Sequence, residues 1–183
     1  MRKISSVLTV LGKDRPGIIA EVTAALFREN CNLEDISMTV LEGELAMIMV
    51  VSLDDKARTR LEPVFLNLRK KQGLDFFWKD LKGKELRKDA PARGTKTYLI
   101  SAIGRDRTGI VYKISRVLAG FHVNITDLNS KILGKAAKTL YAMVLEADVP
   151  KGFQVSKLER ALKQLARVLK IEISVRPFER VEF

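Results

Sequence analysis

The chain of 183 residues contains one cysteine, one histidine and no long apolar run. Cys31 alone cannot form an internal disulfide, and such sparse cysteine is typical of a reducing compartment. His122 alone excludes most histidine-based triads and metal sites. No apolar run reaches the roughly eighteen residues of a membrane helix, and Gly12, Lys13 and Asp14 interrupt the first one, which excludes a signal peptide. We therefore expect a cytoplasmic protein without membrane contact, metal or cofactor.

The formal net charge of the whole chain is +11, and most of this positive charge lies in its second half. Residues 1–78 are neutral overall, residues 79–97 carry +4, and residues 98–183 carry +7. Hydrophobic residues make up 46% of the chain, which is enough for a folded core. The basic half is compatible with nucleic acid or another acidic partner, and equally with a solvated surface.

The chain contains an internal repeat. Leu11–Ile19 reads LGKDRPGII and Ile103–Val111 reads IGRDRTGIV. When residues 12–35 are placed on 104–127 without a gap, eight of the twenty-four pairs are identical. This similarity indicates two homologous modules, which we place at residues 1–80 and 97–183, with a charged linker over 81–96.

Both copies show the same order of predicted elements. An apolar run predicts a strand over Ile4–Leu11, and Pro16 is expected at the first position of the following helix, with Asp14 as its N-terminal acceptor. A hairpin over 33–53, a second helix and a short strand over 75–78 then follow. The order predicts an α+β fold of two ferredoxin-like βαββαβ modules, each with a four-stranded antiparallel sheet and two helices on one face. The other face of each sheet is expected to remain apolar.

In this chain the first strand runs into the motif Asp-Arg-Pro-Gly-Ile at residues 14–18, and Asn32 follows the first helix. A βαββαβ module with these two features resembles an ACT domain. The second copy departs from the motif at Thr108, where proline is usual. The tandem pair is similar to the glycine cleavage system transcriptional repressor group. This resemblance implies a non-catalytic regulatory protein that binds an amino acid such as glycine or serine. It also implies a homodimer and a partner regulator protein.

The loop between the first strand and the first helix is also a physical candidate for an amino-acid site. Backbone N–H groups at a helix N-terminus suit a carboxylate, and Gly17 lets a ligand approach them. Asp14 and Asn32 could accept hydrogen bonds from an ammonium group. The candidate ligand-binding residues are Asp14, Arg15, Pro16, Gly17, Ile18 and Asn32, with Asp106, Arg107, Thr108, Gly109, Ile110 and Asn124 in the second copy. A cap, a close packing contact and a turn would explain the aspartates, glycines and asparagines equally well.

Two other functions are compatible with this order of elements. RNA-recognition domains share it, but Tyr141 is the only aromatic residue within the predicted strands 45–53 and 139–147, so RNA or DNA binding would depend on the basic linker and second half. Acylphosphatases also share the fold and use an arginine and an asparagine, for which Arg15 and Asn32 are the candidates.

Overall fold

The computed structural model of the chain describes residues 4–81, 94–134 and 139–179. The chain divides into two compact units, residues 1–88 and 89–183, which are the first and second modules. Most of the predicted linker, residues 82–93, lies outside the described residues. Residues 95 and 96 already belong to a strand of the second module.

Each module contains the six elements in the predicted order. The first module consists of β1 (Ile4–Lys13), α1 (Ile18–Arg28), β2 (Asn32–Leu41), β3 (Glu44–Leu53), α2 (Asp55–Gln72) and β4 (Asp75–Asp80). The second module consists of β5 (Thr95–Arg105), α3 (Ile110–Gly120), β6 (Asn124–Leu133), β7 (Leu140–Pro150), α4 (Val155–Leu169) and β8 (Ile171–Pro177). The predicted fold class is confirmed.

The strand order is β2-β3-β1-β4 in the first sheet and β6-β7-β5-β8 in the second, with antiparallel neighbours throughout. The edge strands are therefore β2 and β4 in one module and β6 and β8 in the other. β2 contains a bulge between Leu33 and Asp35, and β6 contains one between Ile125 and Asp127.

Both helices of a module pack on one face of its sheet, because alternate strand residues and one side of each helix are apolar. In the first module Leu8 and Val10 of β1 are fully buried against Val22 of α1 and other core residues. Phe65 of α2 stacks on Phe76 of β4, with ring centroids 4.2 Å apart. We call this sheet face the covered face and the opposite one the outer face.

The outer faces of both sheets expose apolar side chains. Ile48 and Phe77 are 51% and 56% exposed in the first module, and Ile103 and Val144 are 43% and 42% exposed in the second. The apolar outer face expected from the sequence is therefore present in each module.

A glycine near the end of the central strand allows close approach of the last strand in both modules. A Cβ added to Gly12 would lie 2.7 Å from Leu74 Cδ2 and 3.0 Å from the carbonyl oxygen of Gly73. A Cβ added to Gly104 would lie 2.5 Å from Cγ2 and 2.9 Å from Cα of Ile171. These contacts leave no room for a side chain at either glycine.

Candidate ligand site at two glycine loops

The loop between the first strand and the first helix has the same backbone in both modules. Gly17 is the N-cap of α1 with φ +97°, and Gly109 is the N-cap of α3 with φ +90°. The helix therefore begins at Ile18, and the prediction of Pro16 as the first helical residue is wrong. Asp14 does not cap the helix either: no side chain accepts a capping hydrogen bond from the first N–H groups of α1 or α3, and the backbone N–H of Asp14 donates to Gly43 O at 2.8 Å. A glycine in the left-handed region replaces the predicted cap.

The two loop glycines are needed for their backbone conformation and do not serve close packing. A Cβ on Gly17 would lie no closer than 3.8 Å to its nearest neighbour, the guanidinium of Arg15, and a Cβ on Gly109 would meet nothing within 4 Å. A φ near +90° is unfavourable for other L-residues. The space above both glycines is open, as a ligand site here requires.

Backbone donors face this open space at the start of each helix. The first three helical N–H groups have no intrahelical acceptor. Since the first intrahelical hydrogen bond of α1 runs from Glu21 N–H to Gly17 O, these three groups belong to Ile18, Ile19 and Ala20. The side chains of Ile18 and Ile110 are buried in the cores, so these two residues could contact a ligand only through the main chain.

In the first module, Arg15 folds over the loop and binds a carboxylate of its own helix. Its guanidinium donates to Glu21 Oε2 at 2.8 Å, to the carbonyl oxygen of Pro16 at 3.2 Å and to the side chain of Gln72. The hydrogen bond from Arg15 holds the pKa of Glu21 below its usual value. Glu21 lies in the first turn of α1, so this helix N-terminus already has a negative charge beside it.

The second module has the opposite charge at the same place. Lys113 occupies the position of Glu21 in the repeat, and its backbone N–H donates to Gly109 O at 3.0 Å. Asp106, Arg107 and Thr108 of the loop are all exposed. Among the described carboxylates none forms an ion pair with Arg107 or Lys113. This helix N-terminus therefore combines free backbone donors with two unpaired cations.

The two asparagines lie far from the loop of their own module. Asn32 is opposite Ser52 at one end of the first sheet, whereas β1 enters the loop at the other end, where Lys13 is opposite Glu44. Eight residues of β3 separate these two ends, which is roughly 27 Å. One module therefore cannot place Asn32 and Gly17 against one small ligand, and the same holds for Asn124 and Gly109.

Asp148 is a candidate residue that the sequence did not single out. It lies opposite Asn124 of β6 and opposite Thr97 of β5, and the Thr97 hydroxyl donates to Asp148 Oδ1 at 2.8 Å. In the first module Ser52 is opposite Asn32 instead. The second module thus has a carboxyl group beside its asparagine, which suits an ammonium ligand. Only the strand register brings these residues together, so no pattern along the chain would reveal them.

The alternative sites are not assembled by this structure. Arg15 is held by Glu21 at the opposite end of the sheet from Asn32, so the acylphosphatase-like pair is separated. Tyr141 packs against the core of the second module on the covered face, which removes it from any base-stacking platform. The described residues include no cluster of potential metal ligands and no helix long and apolar enough to cross a membrane.

Comparisons with known proteins place the repeat in a family. The sequence profile of the ACT domain matches residues 6–79 and 96–176. A UPF0237 protein of Methanopyrus kandleri is 50% identical over 50 residues, which are 27% of this chain and 56% of that protein. A UPF0237 protein of Methanosarcina mazei is 32% identical over 79 residues, which are 43% of this chain and 82% of that protein.

Two solved structures share the fold over nearly the whole chain. The crystal structure of an unknown protein from Galdieria sulphuraria is 24% identical and has a TM-score of 0.79, covering 97% of this chain and 100% of that one. A protein proposed to be a glycine cleavage system transcriptional repressor is 20% identical with a TM-score of 0.71, covering 98% and 100%. The two matched ranges contain both glycine loops and, apart from one or two residues at the outer ends of four strands, every strand and helix of both modules. The chain therefore belongs to the ACT domain family.

Proposed function

We propose that the protein is a non-catalytic regulator that binds a small amino acid, such as glycine or serine, at its glycine loops. The observation that carries the proposal is the open, donor-lined space above Gly17 and Gly109, which is built the same way in both modules. Three N–H groups without an intrahelical acceptor and the helix dipole favour a carboxylate there. Support also comes from the ACT family and from the fold shared with the proposed transcriptional repressor.

The second module is the better carboxylate site in this proposal. In the first module the negative charge of Glu21 already lies beside the helix N-terminus, and Arg15 is engaged with it. In the second module Lys113 and Arg107 leave the same place positively charged. Charge-assisted hydrogen bonds each contribute about 1.5–3 kcal/mol, so this difference is large enough to separate the affinities of the two loops.

The ammonium end of the ligand needs a second chain in this proposal. β2 is a ten-residue edge strand that is exposed along its whole length. If two such edges pair antiparallel, Asn32 of one chain comes next to the Leu41 end of its partner, which is the end that carries the glycine loop. The same argument applies to β6 and Asn124, with Asp148 beside it. The amino acid would then bridge two chains of a homodimer.

A ligand held by two chains gives a simple regulatory mechanism. Binding at the shared site stabilises the paired arrangement of the two chains relative to the unpaired one. The free energy of this shift equals the difference between the ligand's binding free energies for the two arrangements. We propose that a partner regulator protein recognises the paired form and that the output is transcriptional control of amino-acid metabolism. Contact with DNA would then be made by the partner and not by this chain.

Thermal unfolding and calorimetry with glycine and serine test the proposal. A ligand at 100 times its Kd stabilises the folded protein by about 2.7 kcal/mol. Asn32→Ala and Asn124→Ala should weaken binding, and Lys113→Glu should weaken it at the second loop, whereas Glu21→Gln should strengthen it at the first. Asn67→Ala, which removes an exposed amide on α2, is the matched control. If no amino acid binds the unaltered chain, or if Asn67→Ala weakens binding as much as Asn124→Ala, the proposal is wrong.

A further inference from the structure

The second module has a groove that the proposed function does not use. It lies along the edge strand β8, beside α4, and has a volume of about 560 Å³. Pockets for small molecules have volumes of roughly 300–1,000 Å³. The polar side chains that line it are those of Ser101, Lys163, Arg167, Glu172, Ser174 and Arg176. We call it the β8 groove.

The charge of the β8 groove is positive and unpaired. Lys163, Arg167 and Arg176 contribute three cations against the single carboxylate of Glu172. None of the three forms an ion pair with any described carboxylate. Cations gathered in one concave place repel one another, so an anion bound among them would relieve the repulsion.

The first module shows the same place closed by an ion pair. Asp75 is the counterpart of Glu172, since both lie opposite repeat-related residues of the central strand. Arg69 of α2 reaches Asp75, with Nε 2.9 Å from Oδ1. Arg69 lies four residues before Gly73, the left-handed C-cap of α2, and Ala166 lies four residues before Lys170, the left-handed C-cap of α4. Ala166 therefore has the position in α4 that Arg69 has in α2. Alanine leaves space and removes the partner that Glu172 would otherwise have.

A second replacement opens the outer-face side of the groove. Phe77 lies opposite Thr9 in the first module, and its counterpart Ser174 lies opposite Ser101 in the second. The hydroxyl oxygens of Ser101 and Ser174 are 2.7 Å apart. The second module therefore has a second hydroxyl group, that of Ser174, where the first module presents the ring of Phe77 beside Thr9.

We propose that the β8 groove binds the phosphate group of a small phosphate ester. The planar guanidinium groups of Arg167 and Arg176 match a phosphate in a bidentate arrangement, and Lys163 adds a point charge. One hydroxyl of the Ser101–Ser174 pair donates to the other, so the second hydroxyl is left to donate to a remaining phosphate oxygen. Glu172 accepts from a hydroxyl or amino group of the ester. None of the loop residues 106–109 lines this groove, so the proposal does not depend on amino-acid binding.

The experiment compares two double variants that remove the same charge. Arg167→Gln with Arg176→Gln alters the β8 groove, and Lys70→Gln with Lys79→Gln alters the exposed counterparts in the first module. Titration calorimetry of the full chain uses inorganic phosphate, ribose 5-phosphate and AMP, with ribose as the ligand that lacks phosphate. We expect at least one phosphate compound to bind, a loss of affinity of about tenfold or more in the groove variant, and unchanged affinity in its counterpart.

A third variant closes the groove without removing a charge. Ala166→Arg rebuilds the ion pair of the first module with Glu172, and we expect it to abolish phosphate binding while thermal unfolding stays as in the unaltered chain. The proposal is overturned if no phosphate compound binds at about 10 mM. It is also overturned if both double variants lose affinity equally, or if ribose binds as well as ribose 5-phosphate. Binding of a short DNA duplex but of no small ester would replace it with a nucleic-acid surface.

Discussion

The left-handed glycines at the helix starts allow one prediction to be worked through in detail. In Gly109→Ala the new Cβ meets nothing within 4 Å, so the substitution adds no clash and only forces alanine to φ +90°. That conformation is unfavourable for an L-residue by about 1–2 kcal/mol. For a module of this size each kcal/mol lowers Tm by roughly 4–8 °C, so we expect a decrease of roughly 4–16 °C. Gly17→Ala should behave in the same way, since its nearest contact would be 3.8 Å away.

Gly120 provides the matched control on the same helix. It is the last residue of α3, has no positive φ, and an added Cβ would meet nothing within 4 Å. Alanine is a better helix former than glycine by about 0.5–1 kcal/mol, so Gly120→Ala should raise Tm. Differential scanning calorimetry of the full chain measures all three variants. If Gly109→Ala melts at or above the temperature of the unaltered protein, the left-handed backbone is not required and the account of the loop fails.

Three further predictions follow from the structure. Gly104→Ala should destabilise by roughly 1–3 kcal/mol and by more than Gly12→Ala. The Cβ at Gly104 would lie within 2.9 Å of three atoms of Ile171, whereas the Cβ at Gly12 would have one contact this short, with Leu74 Cδ2, and would lie 3.0 Å from its nearest backbone atom, the carbonyl oxygen of Gly73. Denaturant unfolding measures both variants, and equal losses would contradict this reasoning. The hydrogen bond from Arg15 lowers the pKa of Glu21 from its ordinary value of 4.5, so this pairing stabilises the fold at neutral pH and the stabilisation is lost as the pH falls below that ordinary value. Glu21→Gln should therefore flatten the dependence of stability on pH in the acid range. An unchanged profile of unfolding free energy against pH would refute this. Ile36→Lys and Leu128→Lys each place a charge on an edge strand, so they should shift a dimer towards monomer in sedimentation velocity. Leu66→Lys, which places the same charge on α2, should not. The edge-pairing proposal fails if all three variants sediment alike.

The sequence was sufficient for the fold because the repeat supplied each element twice. Val22 and Leu26 in α1, and Ile114 and Leu118 in α3, recur at helical spacing in the sequence, and all four are buried in the cores. The start of α1 was mispredicted, because a proline and an aspartate ahead of a helix fit the usual cap as well as they fit a glycine N-cap. Local patterns alone do not distinguish these two geometries.

The contacts within the candidate site could not be predicted for a different reason. Arg15 meets Gln72, and Thr97 meets Asp148, across fifty residues or more of intervening chain. Such pairs depend on how α2 ends and on which residues of β5 and β7 are opposite one another. The distance between Asn32 and its own loop likewise follows from the direction of β2 in the sheet. The residues were visible in the sequence, but their spatial relations were not.

The bulge in β2 decides where the side chain of Asn32 points. Ile36 is opposite Met49 and Leu33 is opposite Val51, so both lie on the covered face although they are three residues apart. The extra residue, Glu34, reverses the alternation between them, and this turns Asn32 to the outer face. In an unbroken strand Asn32 would share its side with Ile36 and be directed towards the helices. The orientation of the amide thus depends on one inserted residue, and the equivalent bulge in β6 has the same effect on Asn124.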